Sequence, residues 1–185
     1  MIYSLSLETA LLLVGLAVIA LHAVALVAPA KSQAWLKAFP RSDTWGTILI
    51  AIAGVWFWWL VANMDLGEFS NWRRTLKYGT PIAAFLTWQY VKEFLAVRAL
   101  GMIVLLGAEP LLESAWMRPE YSRLTMVTLV YVWVAFALFW VGMPYTLRDQ
   151  IGWVTASRQR WNAAAFLGLA WGAAILICSF LTQHR

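Results

Sequence analysis

Three charged side chains in the middle of a largely apolar stretch are the first candidates in this chain for a functional site. The stretch runs from Thr80 to Leu112, with Lys92, Glu93 and Arg98 in its middle and Glu109 near its end. Ionisable residues inside membrane segments belong to ion or proton pathways, or they bind charged ligands. At mid-membrane these three would predict a small transporter or channel. At the water boundary they would predict a cluster that binds an anionic headgroup or docks a partner subunit.

The length of this stretch favours the water boundary. Its 33 residues would form a helix of about 50 Å, whereas the hydrocarbon core of a bilayer is about 30 Å thick. We therefore expect the membrane span to be Phe94–Leu112, with Lys92 and Glu93 at the interface. We expect Arg98 to extend along its own stem towards water.

The residues before this span are predicted to form a separate short helix, about 80–91, that lies at the interface or is re-entrant. Thr80 would be its N-cap and Pro81 its first helical residue. The alternative is a span over 80–100, which places Lys92 and Glu93 near mid-depth. Buried charge costs about 2.5–3.5 kcal/mol per residue on insertion scales, so this alternative is disfavoured.

Other polar residues are candidates for binding. Arg73, Arg74 and Lys77 could dock a headgroup or a partner on the same side as the charged trio. Glu93 is expected to pair with a nearby base. His22, inside the first apolar run, is a possible relay residue or ligand, although a hydrogen-bonded packing histidine is favoured.

Motifs of soluble enzymes are missing from the sequence. It has no Gly-rich phosphate loop, no His-Glu-x-x-His and no nucleophile elbow. The lone Cys178 cannot form an internal disulfide, and it belongs to no metal or haem spacing. We therefore predict no catalytic residues, no metal and no cofactor, and the sequence leans against an enzyme.

Composition predicts an all-α, polytopic bundle of transmembrane helices that forms one integral membrane domain over residues 1–185. Hydrophobic residues make up 62% of the chain and charged residues 12%, against about 25% charged in soluble domains. The net charge of +5 is spread over the connectors, which makes nucleic acid a poor partner and lipid headgroups the expected one.

Five apolar runs of membrane-crossing length are predicted as spans. They cover residues 7–28, 45–62, 94–112, 124–143 and 161–181. Pro29 and Pro144 follow two of these runs, as is common just beyond helix ends. Ser42 and Asp43 offer N-cap oxygens to the second run.

The connectors 29–44 and 144–160 mix aromatic and basic residues, which predicts short helices at the membrane interface. Each connector starts at a proline and leads to a tryptophan. The two hairpins could therefore be an inverted repeat facing opposite ways, although two unrelated hairpins are the simpler interpretation.

The leading functional hypothesis is a non-enzymatic membrane protein that works by association, either as an accessory or scaffold subunit of a larger complex or as a homo-oligomer. The glycine pairs Gly46/Gly54 and Gly168/Gly172 permit close approach of helices. The alternatives are a small transporter or channel using Lys92, Glu93 and Arg98, and a lipid-handling enzyme. A cytoplasmic-type membrane is expected, and a count of basic residues favours the N-terminus inside.

Overall fold

A computed structural model describes residue 3 and residues 5–119 and 121–183, and these form eight α-helices and no strand. The helices are α1 (Leu7–Val27), α2 (Pro29–Ala38), α3 (Asp43–Asn63), α4 (Arg73–Tyr90), α5 (Leu95–Ser114), α6 (Ser122–Gly142), α7 (Tyr145–Thr155) and α8 (Arg158–Gln183). Short 3-10 segments, Phe39–Arg41 and Gly67–Trp72, precede α3 and α4. The all-α prediction is confirmed.

Five helices, α1, α3, α5, α6 and α8, are long and apolar enough to cross a membrane. Their ends lie within three residues of the five predicted runs. Capping explains the small extensions at the N-termini of α3 and α8. The predicted cap of α3 is confirmed, because the Ser42 hydroxyl accepts a hydrogen bond from the Trp45 N–H at 3.3 Å. Ser157 accepts from the Arg160 N–H at 3.2 Å, so α8 begins before its apolar run.

Helices α1 and α8 pack antiparallel along their full length. A Cβ on Gly15 would lie 2.7 Å from Leu176, and one on Gly172 would lie 2.7 Å from Ile19. These glycines therefore allow the two helices to approach closely. At one end the buried Ser179 donates a hydrogen bond of 3.1 Å to the Glu8 carbonyl.

Helix α5 lies between α3, which runs parallel to it, and α6, which runs antiparallel. A Cβ on Gly46 of α3 would lie 3.1 Å from Leu95, and one on Gly101 of α5 would lie 2.8 Å from Val141 of α6. The glycine pairs noted in the sequence thus serve contacts within the chain. The main core, around Leu11, Met126 and Ile175, joins α1, α5, α6 and α8.

Helix α4 is longer than predicted and takes a different course. It begins at Arg73 and runs antiparallel along α3, with the Trp88 indole N–H donating to the Thr47 hydroxyl at 3.0 Å. Thr80, predicted as an N-cap, lies mid-helix, and its hydroxyl donates to the Leu76 carbonyl at 2.8 Å. That prediction is wrong because Pro81 is accommodated inside the helix, where it leaves the Lys77 carbonyl without its usual donor.

Three helix C-termini are capped by side chains from other helices. The final carbonyls of a helix lack intrahelical donors. The Ala25 carbonyl accepts from the Trp161 indole at 3.0 Å, and the Met64 carbonyl accepts from Arg73 at 2.9 Å. The Val141 carbonyl, the third of these, is described with the site below. These bonds hold the ends of α1, α3 and α6 in place.

The six long helices, taken in chain order, alternate in direction, and this gives the molecule two ends. The connector face contains α2, the segment Phe39–Arg41, the turn 91–94 and α7. The terminal face contains the start of α1, the end of α8, the segment Gly67–Trp72 and residues 115–119. Because α2 contacts α7 on one face, the two hairpins point the same way. The inverted-repeat hypothesis is therefore wrong. Two long helices, α4 and α5, separate the hairpins where the sequence predicted one, so the second hairpin faces the same way as the first.

Candidate functional site

The charged trio lies where α4 ends and α5 begins. Lys92 and Glu93 are exposed in the turn 91–94, which closes with Phe94 in the left-handed conformation at φ +53°. Glu93 forms no ion pair with any described residue, so its expected pairing with a nearby base is not observed.

Arg98 turns inward, towards α6. Its Nη1 donates a hydrogen bond of 2.6 Å to the Val141 carbonyl. The absence of a side chain on Gly101 brings the end of α6 within reach. The guanidinium thus meets the free carbonyls at the C-terminus of α6, where a cation is favoured, and the extension of Arg98 towards water stays a prediction. Its Nε is the only buried side-chain nitrogen or oxygen left without a hydrogen-bond partner among the described residues.

The basic residues at the start of α4 lie far from the charged trio. Arg73, Arg74 and Lys77 lie at the start of α4, on the terminal face, whereas Lys92 follows its end. A helix of 18 residues is about 27 Å long, so the predicted single cluster does not form. Lys77 instead lies 5.7 Å from the centre of the Trp58 ring, a cation–π contact with α3.

His22 packs between α1 and α8. Its Nδ1 lies 2.7 Å from the Val18 carbonyl oxygen, which can only accept, so Nδ1 carries the proton. A Cβ on Gly168 would overlap the imidazole ring. Gly168 is thus the residue that admits the His22 ring into this helix pair.

The described helices leave clefts between them, including the following two. The first, of about 410 Å³, lies between α3, α4 and α5 and is lined by apolar side chains with Thr80 and Thr87. The second, of about 860 Å³, lies between α1, α2, α7 and α8 on the connector face. His22, Lys31 and Ser32 are polar members of its mostly apolar lining. Its volume falls in the range of ligand sites.

The two faces differ in charge. In the described part of the chain, eight basic and three acidic side chains give the connector face a net +5. They are Lys31, Lys37, Arg41, Lys92, Arg98, Arg148, Arg158 and Arg160, with Asp43, Glu93 and Asp149. The terminal face has five of each and a net charge of zero. They are Arg73, Arg74, Lys77, Arg118 and Arg123, with Glu8, Asp65, Glu68, Glu109 and Glu113.

Sequence reasoning did not single out Lys31, which it treated only as an interfacial base. The sequence feature that could have identified Lys31 is its position two residues after Pro29, where the chain turns from α1 into α2. Within residues 3, 5–119 and 121–183, no group of three His, Cys, Asp or Glu side chains is placed to hold a metal. No protein-family model, curated protein or solved structure matches the chain.

Proposed function

We propose that this chain is a non-enzymatic integral membrane protein that works by association, as a subunit of a larger membrane complex or as a homo-oligomer. In this proposal six helices cross the bilayer: the five apolar ones and α4. The observation that supports it is the position of α4, which lies along α3 although it is not among the five helices apolar enough to span.

The uncharged part of α4 is too short to cross a bilayer in contact with lipid alone. From Tyr78 to its end at Tyr90 it has 13 residues, or about 20 Å, against a hydrocarbon thickness of about 30 Å. Membrane helices satisfy such polar ends, and carbonyls freed by proline, through neighbouring helices. A partner against α4 would meet this need.

Within the chain, α4 packs mainly on α3 and buries only Thr80. Its outer stripe, at helical spacing, consists of Tyr78, Ile82, Phe85 and Gln89, all exposed. Three members of this stripe are large and apolar or aromatic, and the fourth, Gln89, has an amide that can hydrogen-bond to another transmembrane helix. We infer that it is the association surface.

A conduit built on the charged trio has less support. Lys92 and Glu93 lie in an exposed turn, and Arg98 caps α6. Neither of the two clefts described above is lined by any of the three side chains.

The distribution of basic residues favours one orientation of the chain in the membrane. The count that favoured an inside N-terminus grouped Arg73, Arg74 and Lys77 with Lys92, and α4 separates them. The connector face has eight basic residues and the terminal face five among the described residues. By the positive-inside rule, we infer that the connector face is cytoplasmic and the N-terminus is on the opposite side.

The test compares two double variants with matched residue types and exposures. Tyr78→Ala with Phe85→Ala removes side chains of α4 that are 69% and 58% exposed. The control, Tyr131→Ala with Phe139→Ala, removes side chains of α6 that are 62% and 51% exposed. Protein purified in mild detergent from its native membrane is examined by native mass spectrometry.

We expect the wild type and the control to carry stoichiometric partners or further copies, and the α4 variant to be a folded monomer. Wild-type protein that is monomeric and free of partners would contradict the proposal. Equal losses in both variants would contradict the assignment to α4.

A further inference from the structure

The cleft between α1, α2, α7 and α8 has the shape and lining of a lipid site. Its walls include Leu21, Ala25, Leu36, Val154 and Ala165, and its volume is about 860 Å³. It lies at the connector face, where the chain turns between helices of membrane-crossing length. An apolar surface of this kind excludes water and accepts hydrocarbon.

The polar groups of the cleft differ in whether they are free to bind a ligand. His22 is bonded through Nδ1 to the Val18 carbonyl, and the Ser32 hydroxyl donates to the Val24 carbonyl at 3.4 Å. Lys31 is exposed, and no described residue accepts a hydrogen bond from its ammonium or pairs with it. The lining contains no acidic side chain. The cleft therefore presents one available cation beside an apolar surface.

We propose that this cleft binds one anionic glycerophospholipid of the bilayer, with an acyl chain along α1 and α8 and the phosphate at Lys31. Charge complementarity selects this occupant, because the surrounding face has a net charge of +5 among the described residues. Anionic headgroups concentrate near such basic surfaces. The inference rests on the proposed placement of the chain in a bilayer.

The test uses the full chain in nanodiscs and compares phosphatidylglycerol with phosphatidylcholine as probes. Lys31→Gln removes the cation, and Lys37→Gln is its control, with the same charge change on an exposed residue of α2 that does not line the cleft. Ala164→Leu fills the cleft, and Ala163→Leu is its control, since Ala163 is exposed outside it. Bound lipid is counted by native mass spectrometry, and near-UV circular dichroism confirms the fold of each variant.

We expect Lys31→Gln to reduce the preference for phosphatidylglycerol about fivefold, the contribution of one interfacial base. Lys37→Gln should keep that preference, and Ala164→Leu should reduce the retention of both lipids while Ala163→Leu does not. Equal effects of Lys31→Gln and Lys37→Gln would overturn the inference, because they would assign the preference to diffuse surface charge.

Extraction of the membranes with alkaline carbonate separates two kinds of failure. A chain released by carbonate would overturn both the membrane placement and the lipid site. A chain retained in the membrane but without lipid preference would overturn the lipid site alone.

Discussion

The guanidinium of Arg98 donates a hydrogen bond of 2.6 Å to the carbonyl oxygen of Val141. The usual intrahelical donor to this carbonyl would be the N–H of Tyr145, which lies beyond the end of α6. A charged side chain of α5 therefore completes the C-terminus of its antiparallel neighbour. This bond assigns Arg98 a structural role at the α5–α6 crossing.

Replacing Arg98 with methionine should lower the free energy of unfolding by about 2 kcal/mol, the value of a hydrogen bond to a charged group. The carbonyl of Val141 would lose its donor while the apolar stem is kept. Denaturant unfolding in detergent measures the change. The control is Lys92→Met, which removes an exposed cation without a partner among the described residues, and an equal effect there would contradict the assignment.

The substitution Gly168→Ala should destabilise the packing of α1 against α8. The added methyl would overlap the His22 ring, and overpacking of this kind costs about 1–3 kcal/mol. The melting temperature should fall, and His22→Ala in the same chain should restore much of it. Gly79→Ala is the matched control, because a Cβ there meets nothing within 4 Å. It should leave stability unchanged or raise it by up to about 1 kcal/mol.

The substitution Trp161→Phe should lower the free energy of unfolding by about 1–2 kcal/mol. The indole N–H donates to the Ala25 carbonyl at 3.0 Å, and the residue four positions on, Pro29, has no N–H to replace it. Thermal unfolding followed by circular dichroism gives the change. Trp171→Phe should have a smaller effect, since this exposed indole donates no hydrogen bond to the described chain.

Cysteine labelling should place α2 and α7 on one side of the membrane. In a Cys178→Ala background, cysteines at Lys37 and Asp149 should react with an impermeant maleimide from the same side. Cysteines at Glu68 and Arg118 should react from the opposite side. If only five helices crossed, with α4 at the interface, the probes at 37 and 149 would label from opposite sides.

Much of the helical structure could be predicted because it depends on local properties of the chain. Runs of apolar residues with prolines beyond Val27 and Gly142 predict α1 and α6, and the cap at Ser42 is a short-range hydrogen bond. These features require no knowledge of neighbouring helices. The prediction of five membrane-length helices therefore came within three residues of their ends.

The course of α4 could not be predicted, since contacts with α3 decide it. Thr80-Pro81 is a typical helix start, and only packing shows that the helix continues through it from Arg73. The partner of Arg98 depends in the same way on where α6 ends. The error in the course of α4 had two further effects. The sequence placed the two connectors on opposite faces, and it placed Arg73, Arg74 and Lys77 on the same side as Lys92.

The close return of α4 along α3 has a consequence for biogenesis. Only residues 64–72 separate the two helices, and α4 is too polar to be inserted readily by itself. In the proposed six-span arrangement, the protein-conducting channel would therefore release both helices together as a hairpin, and the more apolar α3 would carry α4 into the lipid. Weakening α3 would then leave two segments outside the membrane.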